Sequence, residues 1–121
     1  MIPVSREVGV SQIVYSPLAQ GVLTGKYRPG EAAGEGTRAA ARAQWMELFQ
    51  EDVLERVQRL GPIADGLGIT IAQLALAWVL REPNVASAIV GSSRPEQLRD
   101  NAAASGVDLD DETVRAIDAA M

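Results

Sequence analysis

The chain's most distinctive stretch is Tyr15-Ser-Pro-Leu-Ala-Gln-Gly-Val-Leu-Thr-Gly-Lys-Tyr27, which follows a short run rich in β-branched residues at positions 10–15. That run predicts a strand, which Pro17 ends. In α/β folds, ligands bind beyond the carboxyl ends of the strands. We therefore expect a ligand-binding loop, in which Tyr15 offers a flat ring, Ser16 and the amides of Gln20 and Gly21 offer hydrogen-bond donors, and Lys26 offers an ammonium group. The alternative is a strand that ends in a tight turn, with Tyr15 and Leu18 covering the core.

A second stretch, Gly91-Ser-Ser-Arg-Pro-Glu-Gln-Leu-Arg-Asp-Asn101, follows an apolar run at positions 85–90. The run predicts a second strand, and Pro95 suits the first turn of a helix that continues to about residue 104. Free amides at the start of that helix, two hydroxyl groups and Arg94 would form an anion site. Gln97, Asp100 and Asn101 follow on one face of the helix, leading away from this site. The alternative is an ordinary helix start with a solvated polar face.

The residues around these stretches predict helices between and beside the two strands. Apolar spacing predicts an amphipathic helix over about 39–60 and a mostly buried one over 71–81, where Thr70 and Gln73 form a capping box. Asp110 is expected to cap a last helix, so the acidic cluster at 108–112 is interpreted as a helix start and not a metal site. Strands joined by helical crossovers indicate parallel pairing. Two strands alone would leave both sheet edges open.

The composition of the chain argues against several classes of function. The 121 residues fit one domain, and a net charge of −5 argues against surfaces for nucleic acid or anionic membranes, which need clustered cations. There is no cysteine, no apolar stretch of membrane-spanning length and no signal-peptide pattern, so we expect a cytoplasmic protein. Without histidine or cysteine, the usual catalytic triads and imidazole metal sites are absent.

Two other stretches resemble known binding motifs but depart from the pattern that each motif requires. Gly21-Val-Leu-Thr-Gly25-Lys26-Tyr27 has three residues between its glycines where a phosphate-binding P-loop needs four, and Tyr27 stands where Ser or Thr would hold Mg²⁺. A helix-turn-helix over residues 70–104 conflicts with the acidic balance and with the strand that leads into Gly91.

Both stretches resemble the aldo/keto reductase family, most closely the branch that includes the potassium-channel beta subunits, and the resemblance covers essentially the whole chain. It implies that residues 1–121 are a single partial domain, the C-terminal portion of a (β/α)8 TIM barrel with about two parallel strands and flanking helices. It implies NADP(H) as cofactor, with the nicotinamide stacked on Tyr15. The residues that would line the pyrophosphate are Ser16, Pro17, Leu18, Gln20, Gly21 and Lys26, with Arg38 as an addition. Those around the 2′-phosphate are Gly91, Ser93 and Arg94, and those at the adenine end are Gln97, Asp100 and Asn101. Asp100 stands where the family more often has Glu.

The resemblance also implies what the chain lacks. The family transfers hydride from NADPH to aldehydes and ketones, using a tyrosine, lysine, aspartate and histidine from earlier strands. With no histidine and none of those strands, this chain is expected to hold part of the cofactor site, to have no catalytic residue and to be inactive alone. The alternative is a non-catalytic nucleotide-binding or protein-interaction module derived from the barrel, for which the open sheet edges would allow self-association.

Overall fold

The computed structural model of the chain describes residues 2–32, 34, 36–37, 40 and 49–121. Short helices surround two strands, in the order that the sequence predicts. The elements are α1 (Ile2–Glu7), β1 (Gln12–Tyr15), a 3₁₀ turn (Ala19–Thr24), α2 (Glu51–Arg59), α3 (Gly61–Gly66), α4 (Ile71–Leu80), β2 (Val85–Ile89), α5 (Pro95–Ala103), a second 3₁₀ turn (Ala104–Gly106) and α6 (Asp111–Ala120).

The two strands pair in parallel, which confirms the predicted arrangement. Gln12 lies opposite Val85 and Tyr15 lies opposite Ile89, with a register shift after Gln12. Helix α4 precedes β2 in the chain and packs against it. Because adjacent parallel strands run in the same direction, their carboxyl ends lie side by side at one end of the sheet.

Two clusters of buried apolar side chains hold the helices and the loop after β1 together. The first joins that loop to α2 and consists of Val22, Tyr27, Leu54 and Val57. The second joins the end of α2 to α3, α4 and α6 and consists of Leu60, Ala64, Leu74 and Ile117. Ile71 and Leu23 pack against both clusters. The loop that follows β1 is therefore anchored to the helical layer over much of its length.

The helix starts are built as the sequence predicts. The Thr70 hydroxyl accepts a hydrogen bond from the Gln73 amide (3.1 Å), and the Gln73 side chain accepts one from the Thr70 amide (3.0 Å). The Asp110 carboxylate accepts a hydrogen bond from the Thr113 amide (2.7 Å). That amide stabilises the charged carboxylate and lowers the pKa of Asp110 below its ordinary value of 3.8. The interpretation of this acidic cluster as a helix cap is confirmed.

The prediction of one helix over about 39–60 is wrong at residue 50, and residues 41–48 lie outside the described part of the chain. Gln50 has extended backbone angles (φ −64°, ψ 145°), so α2 begins only at Glu51. Immediately before it, Phe49 packs edge-on against the Tyr27 ring, with 4.9 Å between ring centroids. This tertiary contact accompanies a break that helical periodicity did not reveal.

One face of the small sheet is apolar and exposed. Ile13 is 67% exposed, Tyr15 84% and Ile89 59%. Side chains alternate between the faces of a strand, so Ile13 and Tyr15 lie on the same side. Parallel sheets are usually covered on both faces, whereas helices cover only one face of this sheet among the described residues.

No single helix among the described residues is long and apolar enough to cross a membrane. The segments Glu51–Gly66 and Ile71–Leu80 reach the necessary length and composition only when taken together, and they are bent by 88° at the break between them.

Candidate functional site

The two candidate segments leave the sheet at the same end. Tyr15 and Ile89 are the last residues of their strands and lie opposite each other in the ladder. The loop that begins at Ser16 and the segment that begins at Val90 therefore start side by side. From the sequence, this proximity follows only if the two strands pair in parallel. In the structure they do.

Tyr15 and the turn after it differ sharply in exposure. The Tyr15 side chain is 84% exposed, so its ring is accessible to a planar ligand. Pro17, two residues later, is buried, while Leu18 is partly buried. The interpretation of Tyr15 as a core residue therefore does not hold, whereas Leu18 contributes some cover.

The loop from Ser16 to Gly25 has an unusual backbone. Ser16 (φ 54°), Ala19 (φ 47°) and Gln20 (φ 58°) all adopt positive φ although none of them is glycine. Such angles are uncommon for residues with a Cβ, and clusters of them occur at functional sites. The glycines of this loop mark its irregularity in the sequence, but nothing in the sequence identifies these three residues as strained.

Hydrogen bonds close this loop on itself. The Gln20 side-chain amide donates to the Ser16 hydroxyl oxygen (2.9 Å), and the Ala19 amide donates to the Ser16 carbonyl (2.9 Å). The Gly21 amide donates to the Leu18 carbonyl (2.9 Å). The turn itself uses the Gly21 amide, so a ligand that accepts from it would have to share or replace this bond.

Lys26 folds back over its own loop. Its Nζ lies 4.9 Å from the centroid of the Tyr27 ring. The same nitrogen would lie 3.4 Å from a Cβ added at Gly21, where φ is 97°. Gly21 is therefore favoured by its backbone angle, and the ammonium group lies at contact distance from the position that a Cβ would take. Lys26 and Arg28 also line a shallow cavity of about 190 Å³.

The second segment is open to solvent from Gly91 to Arg94. Arg94 is the residue before the first turn of α5, and its side chain makes no capping hydrogen bond. The Gln97 side-chain oxygen accepts hydrogen bonds from the Ser93 amide (3.0 Å) and the Ser93 hydroxyl (3.1 Å). Two of the donors that were predicted to be free for an anion thus point to Gln97.

The remaining predicted site residues lie further along α5 or outside the described chain. Asp100 is exposed and Asn101 is partly buried. The Asp100 carbonyl accepts a hydrogen bond from the Gln73 side chain (2.8 Å), which ties α5 to the start of α4. Arg38 lies outside the described residues.

The charge distribution suits an anionic ligand. Within the described ranges, neither Lys26 nor Arg94 takes part in an ion pair, although the whole chain carries a net charge of −5. The described residues contain no group of three or more acidic side chains placed to hold a metal ion. The two segments that leave this end of the sheet thus carry an accessible aromatic ring and two cations without an ion pair among the described residues. Groups of these kinds suit a ligand with a planar ring and phosphate groups.

Sequence reasoning did not identify Gln58. From α2, its side chain donates hydrogen bonds to the Gly25 and Tyr27 carbonyls (3.2 and 2.9 Å). In the sequence, Gln58 is one polar residue among several of an amphipathic helix, and no local pattern distinguishes it from its neighbours.

Comparison with known proteins places the whole chain in one family. A sequence model of the aldo/keto reductase family matches residues 1–121. A probable voltage-gated potassium channel subunit beta from Arabidopsis thaliana is 41% identical over 83% of this chain and 31% of its own length. An uncharacterized oxidoreductase, YrpG, from Bacillus subtilis is 36% identical over 95% of this chain and 33% of its own length.

Solved structures agree on the fold. The glycerol dehydrogenase of Gluconobacter oxydans superposes with a TM-score of 0.80 at 22% identity, over 99% of this chain and 36% of its own. A thermostable aldo-keto reductase gives a TM-score of 0.65 over 99% of this chain and 33% of its own. The two parallel strands and their helices correspond to part of a TIM barrel, as predicted, and the chain spans about a third of the length of the relatives it matches. The chain belongs to the aldo/keto reductase family, in the branch of the potassium-channel beta subunits.

Proposed function

We propose that this chain provides the C-terminal, cofactor-binding part of an aldo/keto reductase and holds NADP(H) at the carboxyl end of its sheet. One observation carries the proposal: β1 and β2 are adjacent and parallel, so the loop from Ser16 and the segment from Gly91 start side by side. The accessible Tyr15 ring and the unpaired Lys26 and Arg94 then lie on segments that leave the same end.

Each part of the cofactor has a chemically suitable partner in this arrangement. The Tyr15 ring would stack on the nicotinamide, and the ammonium group of Lys26 would neutralise the pyrophosphate. Arg94 would pair with the 2′-phosphate that distinguishes NADP(H) from NAD(H), and Asn101 would contact the adenine end. Bound NADPH supplies a hydride, which the family delivers to the carbonyl carbon of aldehydes and ketones.

Of the two tyrosines in the chain, Tyr27 is not placed to donate a proton in such a reduction, and Tyr15 is the residue proposed to stack on the nicotinamide. Tyr27 is 6% exposed, its ring lies in an apolar cluster, and its hydroxyl has no hydrogen-bond partner among the described residues. It therefore cannot reach a substrate carbonyl, which a general acid must do. We propose that the chain binds the cofactor without catalysing reduction alone, and that the proton donor comes from barrel strands outside this sequence.

The proposal is tested by titrating the chain with NADPH and NADH while tryptophan fluorescence is followed. The variant Arg94→Gln should weaken NADPH binding by about tenfold or more, because hydrogen bonds to charged groups contribute about 1.5–3 kcal/mol. NADH binding should not change, since NADH lacks the 2′-phosphate. Arg99→Gln is the matched control: it removes the same charge from an exposed position of α5, the helix that Arg94 precedes. The absence of saturable NADPH binding, or an equal loss for both variants, would contradict the proposal.

A second candidate function is a protein-interaction module, which the exposed apolar sheet face favours. If that face docks a second copy of the chain, the molar mass in solution should rise with protein concentration, and Ile13→Ser should abolish the rise. Val4→Ser removes an equally exposed apolar residue (61%) from α1 and should have no effect. A monomer at every concentration would exclude this form of self-association.

A further inference from the structure

The side chain of Gln58 connects α2 to the loop that carries Lys26. Its Nε2 donates one hydrogen bond to the Gly25 carbonyl (3.2 Å) and one to the Tyr27 carbonyl (2.9 Å), across 33 and 31 positions of the chain. A primary amide has two N–H donors, so both are used. The two accepting carbonyls belong to the residues immediately before and after Lys26. Gln58 therefore holds the peptide group between Gly25 and Lys26 and the one that follows Tyr27, so that the only lysine of the chain lies between its two contacts.

Packing contacts hold the residues on either side of Lys26. The Tyr27 ring is buried among apolar residues of α2, and a Cβ added at Gly25 would lie only 2.6 Å from Ile71 Cδ1. The Lys26 ammonium group then lies over the Tyr27 ring and against Gly21. A lysine side chain is a flexible four-carbon stem. The orientation of the Lys26 backbone therefore determines which part of the loop the ammonium group reaches.

We propose that Gln58 is a positioning residue for Lys26, which it directs over the loop to meet the phosphate groups of the cofactor. This inference rests on the proposed function for the identity of the ligand, but the position of Lys26 can be measured without any ligand. The replacement Gln58→Leu is suitable because leucine is similar in size to glutamine and removes both donors. Glu55→Leu makes the same new residue at an exposed position of the same helix and serves as its control.

The first measurement is the NMR chemical shift of the Lys26 ε-methylene protons, which can be assigned readily because the chain has one lysine. Protons that lie over an aromatic ring are shifted upfield. We expect an upfield shift in the wild-type chain, its loss in Gln58→Leu and its retention in Glu55→Leu. An upfield shift that persists in Gln58→Leu would overturn the inference, whatever the result with NADPH.

The second measurement is a double-mutant cycle on NADPH affinity. Gln58→Leu should weaken binding about tenfold when Lys26 is present, which corresponds to about 1.4 kcal/mol. In a Lys26→Met background, the same replacement should have little further effect, because the group that Gln58 directs is already gone. Equal losses in both backgrounds would show that Gln58 supports the fold in general and would overturn the inference. If the wild-type chain shows the upfield shift but no NADPH binding, the proposed function fails while the positioning of Lys26 stands.

Discussion

The close approach of Gly25 to helix α4 gives the sharpest stability prediction. Gly25 ends the first 3₁₀ turn with φ 74°, a conformation that residues with a Cβ rarely adopt. A Cβ added there would lie 2.6 Å from Ile71 Cδ1, well inside van der Waals contact. Ile71 packs against both buried clusters, so its side chain has little room to move away. The replacement Gly25→Ala should therefore lower the free energy of unfolding through two separate effects.

The size of each effect follows from the geometry. The left-handed backbone costs an alanine about 1–2 kcal/mol, and overpacking a filled site costs about 1–3 kcal/mol more. Gly68 separates the two, because it has a similar φ of 67° but nothing within 4 Å of an added Cβ. Gly68→Ala should thus show only the backbone cost, and Gly25→Ala should be more destabilising by the cost of the steric contact.

Urea unfolding followed by circular dichroism measures these differences. Ile71→Val removes the Cδ1 atom and should by itself cost about 0.5–1.5 kcal/mol. Combined with Gly25→Ala, it should recover about 1–2 kcal/mol of the loss, because the clashing atom is absent. The reasoning is refuted if Gly25→Ala and Gly68→Ala are equally destabilising, or if the two changes at 25 and 71 are simply additive.

Three further predictions concern single contacts. Thr70→Ala should lower the free energy of unfolding by about 1 kcal/mol through loss of the capping box, whereas Thr70→Ser should keep it; urea unfolding compares the two. Tyr27→Phe should be neutral or stabilise the chain by up to about 1 kcal/mol in the same assay, because it removes a buried hydroxyl that has no partner among the described residues. The lowered pKa of Asp110 stabilises the fold above the ordinary pKa of 3.8, and this stabilisation is lost as the pH falls through the lower folded-state pKa. Asp110→Asn, which caps without titrating, should therefore lose less stability than the wild type when melting is compared between pH 6 and pH 2.

The helix starts and the two strands could be predicted from the sequence because they depend on residues that are close together in the chain. Thr70 and Asp110 could be recognised because a helix start needs side-chain acceptors for its first amides, and both bonds are present. The two strands were evident from short β-branched runs, and their parallel pairing followed from the helices between them. The exit of both candidate loops at one end of the sheet is a consequence of that pairing.

Long-range contacts determine the features that the sequence did not reveal. The break before α2 coincides with the packing of Phe49 on Tyr27, residues that are far apart in the chain. Gln58 became recognisable only when the loop carbonyls of Gly25 and Tyr27 were seen within its reach. Apolar periodicity reports which face of a helix is buried, but it does not report which distant carbonyl a polar side chain will meet.

The two candidate segments differ in how far they are organised for a ligand. In the loop after β1, the positive φ angles of Ser16, Ala19 and Gln20 are held by internal hydrogen bonds and by the buried Pro17. A loop already fixed in this way loses little conformational entropy when a ligand binds. At the second segment, by contrast, the Ser93 amide and hydroxyl donate to Gln97. A phosphate that uses these donors must first displace the Gln97 oxygen, so part of the affinity at this segment is offset by the bonds that it replaces. If NADP(H) is the ligand, its pyrophosphate binds to a preformed loop. Its 2′-phosphate binds to the Ser93 donors only after they release the Gln97 oxygen.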